Sequence, residues 1–337
     1  MKIIPAKPIQ YAPKNIFFSI LAFLCLFSQN LFAQKPATSV NEKTLALFEA
    51  IRSGSTNELQ KQLASGADPN DSLNSYSPLM AAILNGTVEQ MKILIDHGAN
   101  VNYATSQGIT ALWLAVPDWD KTNLLLDHGA DVNHTIDGFG ILTKLAGIPG
   151  TTRFFHLFIE KGADLKKQSA DNFLFYSAAA SGDTSLISFL LSKGFNVNDT
   201  TFFGDYPIDA TLGYKSFDAL KMLVDHGANV NVQPKSFFLK AFNGLSPLMY
   251  AALNNDKPSF DYLLKHGADS NLKSEMGYTA LMLLQESETD DPEMTLALLK
   301  HGAKVSDKAQ DGTDAMFYAQ RKGDTRSVEL LKKADNK

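Results

Sequence analysis

Five of the chain's seven histidines, His97, His128, His226, His266 and His301, sit in one recurring phrase. It reads DHGANVN at Asp96–Asn102 and at Asp225–Asn231, DHGADVN at Asp127–Asn133 and KHGADSN at Lys265–Asn271. An imidazole beside a carboxylate is the pairing of a general base, or of a metal ligand with its orienting partner. Repetition argues against that chemistry here. Equivalent points in stacked helical units lie about 8–10 Å apart, whereas zinc takes nitrogen ligands at about 2.0–2.1 Å. Two copies reach one ion only with difficulty, and three cannot. The pair is also not kept, since Lys265 and Lys300 replace the acid and Ser65, Lys161 and Lys193 replace the histidine. The phrase reads instead as the end of a helix. Gly98 leaves the helix with positive φ, and His97 faces the partial negative charge of the last turn. Asn100 and Asn102 read as turn formers bonded to their own backbone, and Val101 as buried between units.

His134 and His156 lie outside the phrase, with no ligand pattern around them, and His134 reads as exposed. No nucleophile elbow, phosphate-cradling glycine loop or zincin motif is present. The acidic run Glu286–Glu293 reads as a solvated insert. No catalytic residue, metal ligand or cofactor is assigned.

The elements behind the phrase follow from its spacing. Its glycines are Gly66, Gly98, Gly129, Gly162, Gly194, Gly227, Gly267 and Gly302, at intervals of 32, 31, 33, 32, 33, 40 and 35 residues. Such a period marks a solenoid of short units. Upstream of most glycines stands a second motif: SPLMAA from Ser77, TALWLA from Thr110, SPLMYA from Ser246, TALMLL from Thr279. A hydroxyl cap followed by Pro or Ala and an apolar run starts a helix. A longer helix follows, as in TVEQMKILIDHGA from Thr87. Each unit is thus a short helix, a longer helix and a turn-rich connector.

This pattern resembles the ankyrin repeat, with its T-P-L-H start and its L-L-x-x-G-A-D-x-N end. The resemblance implies an all-α solenoid of helix-turn-helix repeats with β-turn or hairpin connectors. It covers most of residues 43–337: an opening cap over 43–70, about seven repeats over 71–306 and a closing cap over 307–337. The family's histidine is replaced throughout, by Met80, Trp113, Lys144, Tyr176, Asp209, Met249, Met282 and Phe317. The third unit (Gly138–Gly150) and the fifth (Gly204–Ser216) match the pattern least, which predicts a local kink or looser packing there.

Residues 1–33 read as a secretory signal peptide, followed by a short linker over 34–42. Lys2, Lys7 and Lys14 precede the apolar run Ile16–Phe27, and Leu31 and Ala33 suit cleavage before Gln34. A run of twelve residues, apolar but for Ser19, falls short of the roughly 20 that span a bilayer. Export to the periplasm or secreted space is the expectation, with a lipoprotein or an uncleaved N-terminal anchor as the alternative. Cys25, the only cysteine, lies in that run, so the mature chain has no thiol chemistry. Cleavage takes the net charge from −5 to −8, three lysines and no acid being lost, and no basic stripe suits nucleic acid.

The resemblance implies binding of another protein through a concave face of connector tips and first helices, by a monomer that has left the membrane. The tips fall near Tyr103–Gly108, His134–Gly138, Asp199–Gly204, Val232–Gly244 and Leu272–Gly277. The 40-residue interval places an insertion at Val232–Asn243. Candidate contact residues are Tyr103, Gln107, Phe202, Phe203, Lys235, Phe237, Phe238 and Phe242. Clustered aromatics there either recognise a partner or close the longer loop on itself. The alternative function is a scaffold carrying a hydrolytic or metal-dependent site that spacing does not reveal.

Overall fold

The computed structural model describes residues 41–169, 172–235, 243–287 and 291–335. The chain forms two compact units. One holds the described residues up to Asp137 together with Phe158–Asp164, and the other holds Gly138–Leu157 and the residues from Leu165 onward.

In the first unit, helix pairs follow the predicted order: α1 (Glu42–Arg52) with α2 (Thr56–Ala64), α3 (Pro78–Asn85) with α4 (Val88–Asp96), and α5 (Ala111–Ala115) with α6 (Trp119–Asp127). A two-residue strand, β1 (Thr135–Ile136), follows. The second unit opens with strand β2 (Phe139–Gly140) and helix α7 (Ile141–Ala146). Helix α8 (Thr152–Glu160) begins in this unit, and a single helical turn, α9 (Leu165–Gln168), lies in it. The pairs after it are α10 (Phe173–Ser181) with α11 (Thr184–Ser192), α12 (Pro207–Gly213) with α13 (Phe217–Asp225), and α14 (Pro247–Leu253) with α15 (Lys257–Lys265). Two more close it: α16 (Ala280–Glu286) with α17 (Pro292–Lys300), and α18 (Ala315–Lys322) with α19 (Thr325–Asp335). No helix among the described residues is long and apolar enough to cross a membrane.

Helix starts are fixed by side chains. Ser77, Thr110, Ser246 and Thr279 each accept a hydrogen bond from the backbone N–H three residues on, at 3.2–3.4 Å. Asp118, Asp183 and Asp256 do the same for the second helices. Each such cap stabilises its helix by about 1 kcal/mol. Helix ends are fixed by the glycines. At α4 the N–H of Gly98 donates to the carbonyl of Ile95 and that of Ala99 to Leu94, both at 2.9 Å, which is the Schellman arrangement. The sequence reads the motif glycines Gly66, Gly98, Gly129, Gly162, Gly194, Gly227, Gly267 and Gly302 as helix C-caps, but at α4 the capping residue is His97, and Gly98 follows it at φ +87°. All eight motif glycines have φ between +82° and +88°.

The connectors are tied by an asparagine ladder. Asn100 does bond its own turn, accepting from the N–H of Asn102 at 2.9 Å. Asn102 does not. Its amide donates to the carbonyl of Gly129 at 2.9 Å and its Oδ1 accepts from the N–H of Asp131 at 2.8 Å, one repeat onward. Asn70 and Asn133 repeat both bonds in the first unit, and Asn198, Asn231 and Asn271 in the second. A primary amide has a donor and an acceptor on one carbon, so one side chain satisfies two backbone groups of its neighbour. The position four residues after Gly162 is Lys166, inside α9, where no asparagine stands.

The third and fifth repeats are not loosely packed. Ile141, Leu142, Leu145, Ala146, Phe154 and Phe155 in the third are at most 3% exposed, and so are Ile208, Leu212, Ala219 and Leu220 in the fifth. In the third, Gly140 replaces the capping hydroxyl, and the buried Gln168 supplies the acceptor instead. Its Oε1 takes the N–H of Leu142 at 3.1 Å, while its carbonyl accepts from the Thr143 hydroxyl at 2.6 Å. A Cβ on Gly140 would lie 2.1 Å from that Oε1, so the glycine makes room for the substitute cap.

Candidate protein-binding surface

The repeated histidines act within their own helices. In His97, His128, His226, His266 and His301 the Nδ1 lies 2.8–2.9 Å from the carbonyl four residues back, so each ring satisfies a last-turn acceptor. His134 is half-buried rather than exposed, with Nε2 2.7 Å from the carbonyl of Gly108. His156 is exposed and lies edge-on to Phe189 at 4.7 Å. No group of three or more potential metal ligands occurs among the described residues. The acidic run is partly structural. Glu286 pairs with Arg321, and Asp291 caps α17 by accepting from the N–H groups of Glu293 and Met294.

Four of the connectors share one turn. In the second repeat, Thr105 N–H donates to Ile109 O at 2.9 Å and Gly108 N–H to Thr105 O at 2.8 Å. Thr201 with Asp205 and Gly204, Ser274 with Tyr278 and Gly277, and Ala309 with Thr313 and Gly312 repeat both bonds at 2.8–3.0 Å. In three of them a buried hydroxyl also accepts from the N–H four residues on: Thr105 from Ile109, Thr201 from Asp205, Ser274 from Tyr278. A hydroxyl and a left-handed glycine thus define the turn, and the two residues between them are left to face outward. Those residues are Ser106 and Gln107 in the second repeat and Phe202 and Phe203 in the fifth.

Phe202 is 79% exposed, the most exposed of the large apolar side chains described. Phe203 is half-buried. It stands edge-on to Phe202 at 5.6 Å and to Phe173 at 6.3 Å. Phe173 in turn meets Phe139 at 5.2 Å and Tyr176 at 5.7 Å. Five aromatic rings from three successive repeats of the second unit therefore form one continuous row. Sequence reading finds Phe202 and Phe203 in it but misses Phe139 and Phe173. Their shared signal is one aromatic at or near the opening of successive repeats.

Beside Tyr176 lies Asp209, on the first turn of α12, at 9% exposure. Its Oδ2 accepts from the Tyr206 N–H at 3.1 Å, while its Oδ1 has no hydrogen-bond partner among the described residues. Burial pushes the Asp209 carboxyl up to about 8. The Tyr206 N–H offsets part of that rise and the charge of Asp205 adds to it. The Tyr176 and Tyr250 phenols are both raised above the ordinary tyrosine range by burial first, and then by the charges of Asp205 and Asp209.

The other predicted contact residues among those described are not part of this row of rings. In the first unit, Gln107 is exposed, and the half-buried Tyr103 donates its hydroxyl to Ser75 O at 3.2 Å. Lys235 is exposed at the base of the insertion, and its carbonyl lies 3.3 Å from where a Cβ on Gly204 would stand. The insertion is closed at its neck: Gly244 N–H donates to Pro234 O and Gln233 Nε2 to Gly244 O, both at 2.8 Å. Phe237, Phe238 and Phe242 lie outside the described residues.

A family model for ankyrin repeats (3 copies) matches residues 47–136, 214–309 and 248–337, more than half of the chain. The unmatched stretch between them, 137–213, holds Phe139, Phe173, Tyr176, Phe202, Phe203 and Asp209. Among curated relatives, the transient receptor potential cation channel subfamily A member 1 of Homo sapiens is 27% identical over 164 residues, 48% of this chain and 14% of its own. Ankyrin repeat protein T5 of rabbit fibroma virus is 28% identical over 225 residues, 61% of this chain and 44% of its own. The Notch-regulated ankyrin repeat-containing protein of Homo sapiens is 33% identical over 72 residues, 20% of this chain and 63% of its own. The chain thus spans less than two thirds of the length of each. The repeat period, the glycine-closed helices and the match over both flanks of the divergent stretch lead to one assignment: this chain belongs to the ankyrin repeat family.

Proposed function

We propose that this protein is a non-catalytic binding module of the cell envelope or secreted space, and that it takes a protein partner on the aromatic row of its second unit. Ankyrin repeats are generic protein-interaction modules. What supports this particular surface is Phe202. Its turn is complete without it, because the same backbone closes around Ser106 in the second repeat, so folding gives no reason for a 79% exposed phenylalanine. Large aromatics that fold stability does not require are the residues that anchor interfaces. Phe203, Phe173 and Phe139 extend the patch through edge-on ring contacts, and side chains already packed cost less to order on binding. The export part of this reading is supported by the basic, apolar and small-residue layout of residues 1–33.

Two measurements test it. A photoreactive aromatic amino acid placed at Phe202 in the native host is expected to cross-link one protein, while the same residue at Ser106 gives none. Equal yields at both positions remove the assignment of the surface. N-terminal sequencing of the protein recovered from the host is expected to begin at Gln34. A chain that begins at Met1 removes the cleavage.

A further inference from the structure

The carboxyl of Asp209 has no part in holding the fold together that another residue would not play better. The equivalent positions in neighbouring repeats are Tyr176 and Met249, and Met80 and Trp113 hold it in the first unit. A methionine there is fully buried without leaving a polar atom unmatched. Asp209 instead buries an acid whose Oδ2 takes the Tyr206 N–H but whose Oδ1 goes without a donor, and that idle oxygen costs stability. None of the ion pairs among the described residues includes it.

Its surroundings narrow what completes it. Asp205 lies close enough to add negative potential, and Tyr176 and Tyr250 lie close enough for their phenols to be raised by the carboxylate. Tyr176 is also the inner end of the aromatic row that runs through Phe173 and Phe203 to Phe202. A group that docks on that row, anchored at the exposed Phe202 ring, therefore sits beside a recessed carboxyl flanked by phenols, which a cation would ionise. A cation fits both halves, because ring faces attract it and an unmatched carboxylate oxygen binds it by a charge-assisted hydrogen bond. A neutral apolar anchor would leave the Oδ1 unmatched.

We propose that the partner delivers a basic side chain, lysine or arginine, to Asp209 between Tyr176 and Tyr250. The proposal rests on the aromatic row being the docking surface. The groups that face Asp209 are Asp205, Tyr176 and Tyr250, with the Tyr206 N–H on its other oxygen. Because burial favours the neutral acid in the free protein, arrival of a cation should expel a proton near neutral pH.

The test selects displayed random peptides on the full chain and then compares synthetic copies on Phe202→Ala and Asp209→Asn variants. The expected result is peptides that carry lysine or arginine and bind with proton release, measured by calorimetry in two buffers of different ionisation enthalpy. Changing the peptide's basic residue to glutamine, or Asp209 to Asn, should each weaken binding about tenfold or more, and the two changes together no further. The peptide change leaves the protein untouched, so it decides the matter even if Asp209→Asn folds poorly. Peptides that need Phe202 but no basic residue, and that bind the Asn variant equally, overturn the proposal and leave the surface standing. Peptides that need Asp209 but are indifferent to Phe202→Ala keep the cation contact and overturn the aromatic surface.

Discussion

The tips at Thr105–Ile109 and Thr201–Asp205 are the same piece of backbone with different cargo. Both close through a buried threonine hydroxyl, an N–H four residues on and a glycine near φ +80°. One presents Ser106 and Gln107, and the other presents Phe202 and Phe203. The first helices behind them diverge in the same direction, Trp113 in one and Asp209 in the other. What a turn requires of its residues and what it displays are separable. Where the display is aromatic and the turn does not need it, binding is the role proposed for it.

Four measurements would break or sharpen that contrast. The largest expected effect is on pH dependence. The folded carboxyl of Asp209 sits at about 8 against an ordinary 3.8, so the native state holds a proton that the unfolded chain releases. Stability from this group is therefore present at low pH and falls as pH rises from about 4 towards about 8, by roughly several kcal/mol at the upper bound. Denaturant titrations across that range should show the slope in the natural protein and lose it in Asp209→Asn. An unchanged slope would place Asp209 in water.

Next comes Phe202→Ala. It should weaken the partner complex by about 2 kcal/mol while moving stability by less than about 0.5 kcal/mol. Ser106→Ala should move neither. A large fall in melting temperature would make Phe202 a packing residue and erase the contrast.

Third, alanine at either turn glycine forces a side chain into the left-handed region and should cost about 1–2 kcal/mol. Gly204→Ala should cost more than Gly108→Ala. Its new Cβ meets the Lys235 carbonyl at 3.3 Å, where Gly108 meets only side-chain atoms, of Ile136 at 3.6 Å and His134 at 3.8 Å. Last, Thr105→Val and Thr201→Val remove the hydroxyl acceptor and should each cost about 1 kcal/mol. Equal values, read from chemical denaturation, would confirm that the two turns are built alike.

Much of the fold is legible in the sequence because its determinants are local. A glycine that ends a helix and a hydroxyl that starts one act within a few residues of themselves, so Gly98 and Ser77 declare their roles by type and place. What escapes a linear reading is every role that crosses a repeat. Asn102 looks like any turn asparagine, yet it serves Gly129 and Asp131. Gln168 looks like a surface residue in a lysine-rich turn, yet it caps a helix that begins 27 residues before it. His134 looks exposed and instead reaches Gly108.

The surface divides in the same way. Phe202 and Phe203 are visible as an adjacent pair, whereas their joining to Phe173 and Phe139 needs the register between repeats. Asp209 reads only as a missing histidine. That it is buried with an idle oxygen follows from packing, which no spacing rule reports.

The asparagine ladder carries a consequence for how such a chain can be lengthened. Asn102 meets the carbonyl of a glycine 27 residues ahead, and Asn231 meets one 36 residues ahead, at 2.9 and 3.1 Å. The rungs do not register the extra length, because Pro234 and Gly244 on either side of it meet in one backbone hydrogen bond. A stack clamped at its rungs and pinched at the neck of its loops is a chassis with a splice port. Foreign sequence grafted between those two residues is expected to leave the repeats on either side in register, and it would start beside the turn that carries Phe202.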